Sequence, residues 1–563
     1  MNNFVKYLDQ FNVLSPNHSK IYDEYSSEDD QYAIKIETKI ENHIVDIFLN
    51  NPRNVIMTGN AGDGKTRICR SLYERITGKT NLEWPESGII EVEFGKGKIR
   101  IVKDLSELTD SIILRELTIL QSSLQDKYST TTFYLIAANE GKLTKFLSQN
   151  SNLSYLYEQI KERFINIEKN NAQLYLVNLQ DVTSSLYAGS ILKEWNQENN
   201  WTACESCRQS KKCVIYLNHK RLREEKIRSK LVEQYRLQDC LGTHITMREI
   251  LIHMSYVMTG GLTCEDVINA DYSMIKFHSE YVYYNNFYGT NLEDNSADEM
   301  GVINAFNKFD PGLKSVSTID DFLLNGDLSG DKEIVSSHNK FFDSEIDMLL
   351  GYAKKVLDFY RRAEKSKILE EVSEISILDL IPKLRRKYFF EIELENKCER
   401  YELISYKYFQ LYLEIFDNKS KHFQVKKDLM QGLNAAFSKK LISNQGNQLY
   451  AVNENLLVHQ IFSQSQVKFD MEQQRNDIDH LPSKFFLLLG EDTRLEVRLP
   501  VFEYLYRVSK GGLLSTLKHE VDILLNTFKN DLINNSEIEE YDLSILSINE
   551  EKGDYSVRTI SID

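Results

Sequence analysis

One short stretch constrains this chain more than any other. Gly59-Asn60-Ala61-Gly62-Asp63-Gly64-Lys65-Thr66 matches the phosphate-binding pattern G-x-x-x-x-G-K-[ST] at every fixed position. The pattern works only between a strand and a helix, and both are expected here. Asn54-Val55-Ile56-Met57-Thr58 is a short apolar run, and Thr66-Arg67-Ile68-Cys69-Arg70-Ser71-Leu72-Tyr73 has helical spacing. Glycines let backbone amides curl round phosphate oxygens without side-chain clashes, and the helix N-terminus adds the positive end of its dipole. Lys65 is expected to neutralise the β- and γ-phosphates of a nucleotide, and the Thr66 hydroxyl to hold Mg²⁺. Residues 59–66, with Arg67 directly after them, are the candidate nucleotide-binding segment.

Composition sets the frame around this loop. A chain of 563 residues with 42% apolar and 27% charged residues is long enough for several domains and has the balance of a globular protein. No run approaches ~18 uninterrupted apolar residues, and Met1-Asn2-Asn3-Phe4-Val5-Lys6-Tyr7-Leu8-Asp9 lacks the layout of a signal peptide, so no membrane association and a cytoplasmic location are expected. Seven cysteines, an odd number, argue against a disulfide framework. A net charge of −16 argues against a chain wrapped in nucleic acid over most of its surface, leaving local basic patches for such contacts. Only 7 prolines point to a helix-rich fold.

The periodicity divides the chain into segments. Residues 1–33 show little pattern and are expected as an N-terminal arm. Residues 34–185 alternate helices and strands: a helix over 33–49, strands at 88–94 and 99–104, a helix over about 106–125, and strands at 133–138 and 174–179. Such alternation predicts a parallel sheet flanked by helices. Residues 186–285 read as a helical lid carrying a cysteine cluster, and 286–343 as a region rich in linkers or exposed loops, most clearly at 288–300 and 325–339. Helices are expected over 344–440, and a mixed α/β domain over 441–563.

Several residues could serve chemistry at the loop. Asp104 ends an apolar strand after the loop and is expected to hold Mg²⁺, or else to cap the helix beginning near Ser106. Glu107 or Glu140 could orient an attacking water, although neither directly follows the metal acid. Asn139 ends the strand expected beside the loop strand, where a polar side chain can touch both γ-phosphate and water. Cys204, Cys207 and Cys213 place three thiols within ten residues, the first two at zinc-knuckle spacing, with His219 or Cys240 as candidate fourth ligands for a structural Zn²⁺. The alternative is three reduced cysteines on a helical hairpin. Basic residues gather at 220–230 and at Lys383-Leu384-Arg385-Arg386-Lys387-Tyr388, where solvated helix surface competes with a phosphate-backbone or acidic-partner contact. No Ser-His-Asp grouping and no H-E-x-x-H motif stands out.

Leu135-Ile136-Ala137-Ala138-Asn139-Glu140-Gly141 resembles the sensor-1 strand of AAA+ and related ATPases, and His244-Ile245-Thr246-Met247-Arg248-Glu249-Ile250-Leu251 resembles the start of their lid helix. The likeness implies an AAA+-like P-loop NTPase core and a γ-phosphate contact from Arg248, which otherwise reads as a solvated helix arginine. The whole pattern, with the G-N-A-G-D-G-K-T loop and the cysteine cluster, is similar to the ATPases of bacterial anti-phage defence islands, and among them to the DptF/DndF family of phosphorothioation-dependent DNA restriction. That family implies ATP and Mg²⁺ as ligands, other restriction subunits as partners, and DNA met directly or through those partners, with a homo-oligomer also open. A STAND-type nucleotide-controlled switch that does not act on DNA is the rival expectation, and a scaffold with a structural nucleotide is a third. Adenine is favoured by the resemblance, since no N-K-x-D motif is present.

Overall fold

In the computed structural model, residues 1–13, 15, 18, 32, 36–79, 82–125, 131–166, 169–170, 173–278, 280–292, 300–343, 348–366, 377–392, 400–440, 442, 447–490, 493–513, 519–535, 542–549 and 554–561 are described. A short helix α1 (Asn3–Asp9) precedes α2 (Lys39–Asn50), β1 (Asn54–Thr58) and α3 (Lys65–Thr77). There follow β2 (Ile89–Phe94), β3 (Gly97–Val102), α4 (Asp110–Gln125), β4 (Thr132–Ala138), α5 (Glu140–Gln149), α6 (Ser154–Ile165) and β5 (Leu174–Asn178).

The five strands form one sheet in the order β2-β3-β4-β1-β5. β3, β4, β1 and β5 run parallel, while β2 and β3 make an antiparallel hairpin. Gly97 starts β3 with its Cα against the preceding edge of β4, where a Cβ would lie 2.1 Å from the Thr131 carbonyl oxygen. Only glycine fits that approach.

Successive residues of a strand face opposite sides, and both sides of this sheet are apolar. Val55 and Met57 pack with α2 and α3 through Ile44, Phe48, Ile68 and Leu72. Ile56, between them, packs with α4, α5 and α6 through Leu117, Leu143 and Ile160. The sheet is therefore covered on both faces, as the alternation of strands and helices predicts.

A mainly helical region follows, beginning with α7 (Ser184–Trp195), α8 (Thr202–Glu205), α9 (Val214–Arg223), α10 (Glu225–Leu241) and α11 (Met247–Thr259). Helices continue at Met348–Ser366, Ile377–Glu391, Phe409–Asp417 and His422–Ser438. Two antiparallel sheets close the described chain. One joins β8 (Lys468–Met471), β9 (Phe485–Leu489) and β10 (Thr493–Val497); the other joins β6 (Gln448–Val452), β7 (Leu457–Ser463), β11 (Asp542–Asn549) and β12 (Asp554–Ser561).

Two segments differ from expectation. The first residues of the expected N-terminal arm are helix α1, with Phe4 and Leu8 fully buried and the Phe4 ring 5.5 Å from that of Trp201. Most of residues 14–35 lie outside the described residues, as do 293–299 of the expected turn-rich stretch. Of residues 325–339, expected as linker or exposed loop, 326–331 make a tight corner between helices Ser317–Asn325 and Lys332–Phe341, and 332–339 are themselves helix. Gly326 is required there because a Cβ would lie 2.7 Å from the His338 ring, and Asp331 caps the second helix. The turn residues mark a corner between packed helices, which the sequence pattern alone does not separate from a linker. Among the described residues no helix is long and apolar enough to cross a membrane.

Candidate functional site

β1 stands where the strand order reverses: the chain leaves it for β2 and β3 on one side, and β5 returns on the other. In open α/β sheets, ligands bind outside the carboxyl ends of strands at such a point. At this end Thr58 is in register with Ala138 of β4 and Asn178 of β5, so three strand ends surround the start of the glycine loop.

The loop is shaped by its glycines. Gly62 and Gly64 have φ of +97° and +83°, the region that disfavours side chains. Gly64 precedes α3 without any side-chain cap, leaving the first amides of that helix open to an anion. Lys65, the first residue of α3, is 8% exposed, and its Nζ donates to the carbonyls of Gly59 at 3.0 Å and Asn60 at 2.6 Å. Burial lowers its pKa, with Asp63 and Asp104 opposing and Arg248 adding to the effect. Asp63 closes the loop on itself, its Oδ2 accepting from the Asn60 amide at 2.5 Å. Thr66 is the second residue of α3, half-buried, and Ala61 is exposed at the loop tip.

The segment before α11 clasps this loop. His244 Nε2 lies 2.7 Å from Asp63 Oδ1, and the Arg248 amide donates to the Gly62 carbonyl at 3.2 Å. Thr246 and Glu249 cap α11 reciprocally, which fixes Arg248 in the first turn beside the loop. A Cβ on Gly62 would meet Arg248 Cβ at 3.0 Å and Thr246 Oγ1 at 3.1 Å.

The candidate catalytic residues divide. Asp104 caps the 3₁₀ turn Leu105–Glu107, accepting from the Ser106 amide at 2.7 Å and hydroxyl at 2.6 Å, and it is also an electrostatic neighbour of Lys65. Asn139 follows β4 and caps α5, its Oδ1 accepting from the Lys142 amide at 3.1 Å. Glu140 accepts from Asn178 Nδ2 at 2.9 Å, so the bond between them crosses the exit of β1. Glu107 is not brought to the loop's electrostatic neighbourhood in this way: it is 58% exposed and pairs with Lys103 at 3.1 Å. Arg67 pairs with buried Glu41 of α2 at 3.5 Å.

Beside Asp63, Gly64 and Arg67 opens an apolar pocket of about 130 Å³ that sequence reasoning did not find. Ile36, Ile40 and Thr38 form one wall, Leu179, Val182 and Tyr187 another, and Ile245 and Met247, at the start of α11, a third. These residues come from four separate segments, so no local pattern announces them. The signal in the sequence is the helix leading into the loop strand, which the structure shows capped reciprocally by Thr38 and Glu41. A polar cleft of about 660 Å³ adjoins the pocket, sharing Val182 and His244 and reaching Glu472, Arg475 and Arg498 of the C-terminal region.

The cysteine cluster lies elsewhere, in the helical region. Cys204 Sγ accepts from Asn2 Nδ2 at 3.3 Å, and Cys213 precedes α9. Burial raises the Cys204 thiol and pushes that of Cys213 up to about 12. Cys264, not grouped with them in the sequence, is an electrostatic neighbour of both, and Cys207 of Cys204. His219 is not positioned as their fourth ligand: its ring stacks on Trp201 at 4.3 Å and its Nδ1 lies 3.1 Å from Asn196 Oδ1. Cys240 is fully buried near Arg236 and Asp239. The thiol set has the chemistry zinc prefers, but among the described residues no three His, Cys, Asp or Glu side chains are gathered to hold a metal ion.

The basic run at 383–388 is neither open surface nor a free phosphate-binding patch. Arg386 pairs with Asp310 at 2.7 Å, Arg385 with Asp320 at 2.7 Å and Lys387 with Glu391 at 2.7 Å, and Lys383 pairs with Glu280. Arg386 and Lys387 are buried. The run at 220–230 is partly neutralised, Arg221 by Glu224 at 3.3 Å and Arg223 by Glu198. Comparisons of the chain with family models, with curated proteins and with solved structures each give no match.

Proposed function

We propose that this chain is a P-loop ATPase with an AAA+-like core, binding ATP at residues 59–66 and hydrolysing it. The observation that carries this reading is the junction of an uncapped α3 N-terminus, the buried Lys65 and the apolar pocket beside Asp63 and Gly64. Phosphates need open amides and a cation; a flat, weakly polar base needs an apolar slot. Both lie side by side here.

The residues also suit a Mg²⁺ ion, which would neutralise charge on the phosphates. Thr66, at the head of α3, and Asp104, an electrostatic neighbour of Lys65, would hold it. Lys65 would exchange its two loop carbonyls for phosphate oxygens, and Asp63 would yield the Asn60 amide. Asn139 and Glu140, beside the exit of β1, would order water there; the bond from Asn178 to Glu140 supports this role. Arg248, held by the Gly62 carbonyl, would link nucleotide state to the start of α11.

The resemblance to the DptF/DndF ATPases supplies the proposed setting: an ATP-hydrolysing subunit of a bacterial restriction and anti-phage defence complex, acting with partner subunits on DNA. With the run at 383–388 consumed by internal ion pairs, the reading assigns DNA contact to other surfaces or to the partners. A STAND-type switch is the second reading. It is favoured by the way segment 475–481 of the C-terminal region lies on the sheet beside the loop, tied by Arg475 to Asp181 at 2.7 Å.

The test is nucleotide hydrolysis by the purified chain, with and without duplex DNA, beside Lys65→Ala. Turnover lost in the variant while its circular dichroism is unchanged is the expected result; equal turnover by both proteins rules the site out. Stimulation by DNA favours the restriction subunit, and indifference to DNA favours the switch.

A further inference from the structure

The walls of the apolar pocket are bonded from behind by a residue far away in the chain. Segment 475–481 crosses the sheet edge at β5: Tyr175 donates its hydroxyl to Asp477, and Ile478 is fully buried among the residues of α2, α3 and the sheet. Asp479 then reaches both walls of the pocket. Its Oδ2 accepts from the Lys39 amide at 2.9 Å, at the start of α2, and from the Tyr187 hydroxyl at 3.4 Å. Its carbonyl accepts from the Thr183 amide at 2.8 Å, and the Leu481 amide donates to Thr183 Oγ1 at 2.8 Å, both at the start of α7.

The walls are built from the neighbours of these anchored groups. Thr38, Ile40 and Glu41 flank Lys39, whereas Val182 and Ser184 flank Thr183, and Tyr187 lines the pocket itself. Ile40 of α2 and Val182 beside α7 belong to one apolar cluster, with Tyr187 packed against it, and apolar contact fixes spacing less sharply than directed bonds do.

We propose that Asp479 is a positioning residue for nucleotide binding: it sets the separation of the two pocket walls, and so serves the base of the nucleotide and not its phosphates. The inference rests on the ATP reading above and deepens it. It places a requirement for base recognition in the C-terminal region, outside residues 34–185 where the loop itself lies.

The experiment compares binding of Mg·ATP and of Mg·tripolyphosphate, which lacks base and sugar, to the full-length wild type, Asp479→Ala, Asp479→Asn and Tyr187→Phe by calorimetry. Asp479→Ala is expected to weaken ATP about tenfold, the size of one lost charge-assisted hydrogen bond, while tripolyphosphate changes less than about twofold. Asp479→Asn retains an oxygen for the Lys39 amide and should recover most of the ATP affinity. Tyr187→Phe, which keeps the ring and loses only the hydroxyl, gives a smaller loss of the same kind and serves if Asp479→Ala does not fold. Wild-type ATP affinity in both Asp479→Ala and Tyr187→Phe overturns the proposal, as does a matched fall for ATP and tripolyphosphate, which marks general loosening. A wild-type chain that binds neither ligand removes the ATP reading itself, and one that binds tripolyphosphate as tightly as ATP removes only the base pocket.

Discussion

Gly62 carries two demands at once. Its φ of +97° is costly for any other residue, and its Cα faces the first turn of α11 at a distance that leaves a Cβ 3.0 Å from Arg248 Cβ. Gly62→Ala should therefore strain the loop by about 1–2 kcal/mol and push the start of α11 outward. The measurable outcome is a lower melting temperature together with weaker ATP binding; an unchanged melting temperature speaks against the close packing of loop and α11. At this scale the sequence was informative wherever chemistry dictates residue type. Gly62, Gly64 and Lys65 are recognisable because phosphate binding needs open amides and a cation. His244 and Asp479 were not recognised as partners of the site, because what they do depends on Asp63 and Lys39, which folding alone brings near.

For elements, the helix Ile377–Glu391 is the instructive case. Its basic residues look like a solvated stripe, since a helical wheel shows charge but not what stands opposite. The acids Glu280, Asp310 and Asp320 all lie on other elements. Arg386 bonds Asp310 through both Nε and Nη2 and is 8% exposed at the side chain. Removing one partner of a buried pair strands the other charge, so Arg386→Ala is expected to cost ~3–5 kcal/mol. Replacing both partners with apolar residues of similar volume should cost less. Urea unfolding of the single and double variants checks the ordering, and a double variant weaker than Arg386→Ala contradicts it. The core sheet, by contrast, was legible in outline: alternating periods of two and near four predicted strands and covering helices. The antiparallel turn of β2 onto β3 was not foreseen in the parallel-sheet expectation, although Gly95-Lys96-Gly97 stood between the two runs.

Across the whole molecule, buried histidines make stability depend on pH. Burial holds His219 at about 3 and His253 at about 4, both below the ordinary value of 6.5, with Arg223 and Lys220 adding to the effect at His219. The unfolded chain binds protons that the folded chain refuses. Their contribution is complete above about pH 6.5 and declines as pH falls toward 4, by roughly 1.4 kcal/mol per pH unit for each group. Urea midpoints should drop steadily between about pH 7 and pH 5, and a flat profile would show that neither ring is held neutral. Both histidines belong to an apolar cluster or its immediate contacts running from Phe4 to Leu546, so the loss is felt by the helical and C-terminal regions together. That continuity could not be read from segment boundaries, which divided what the packing joins.

Ile478 has a further consequence, for how the chain is made. The residue fills the apolar layer beneath β1 and β5, yet it emerges from the ribosome hundreds of residues after β5 has been synthesised. Translation is slow compared with helix and sheet formation. The nascent sheet must therefore wait with that part of its edge open, and its loop side is finished only when nearly the whole chain exists. On the proposed function, the base side of the site would thus be completed only once the C-terminal region is present.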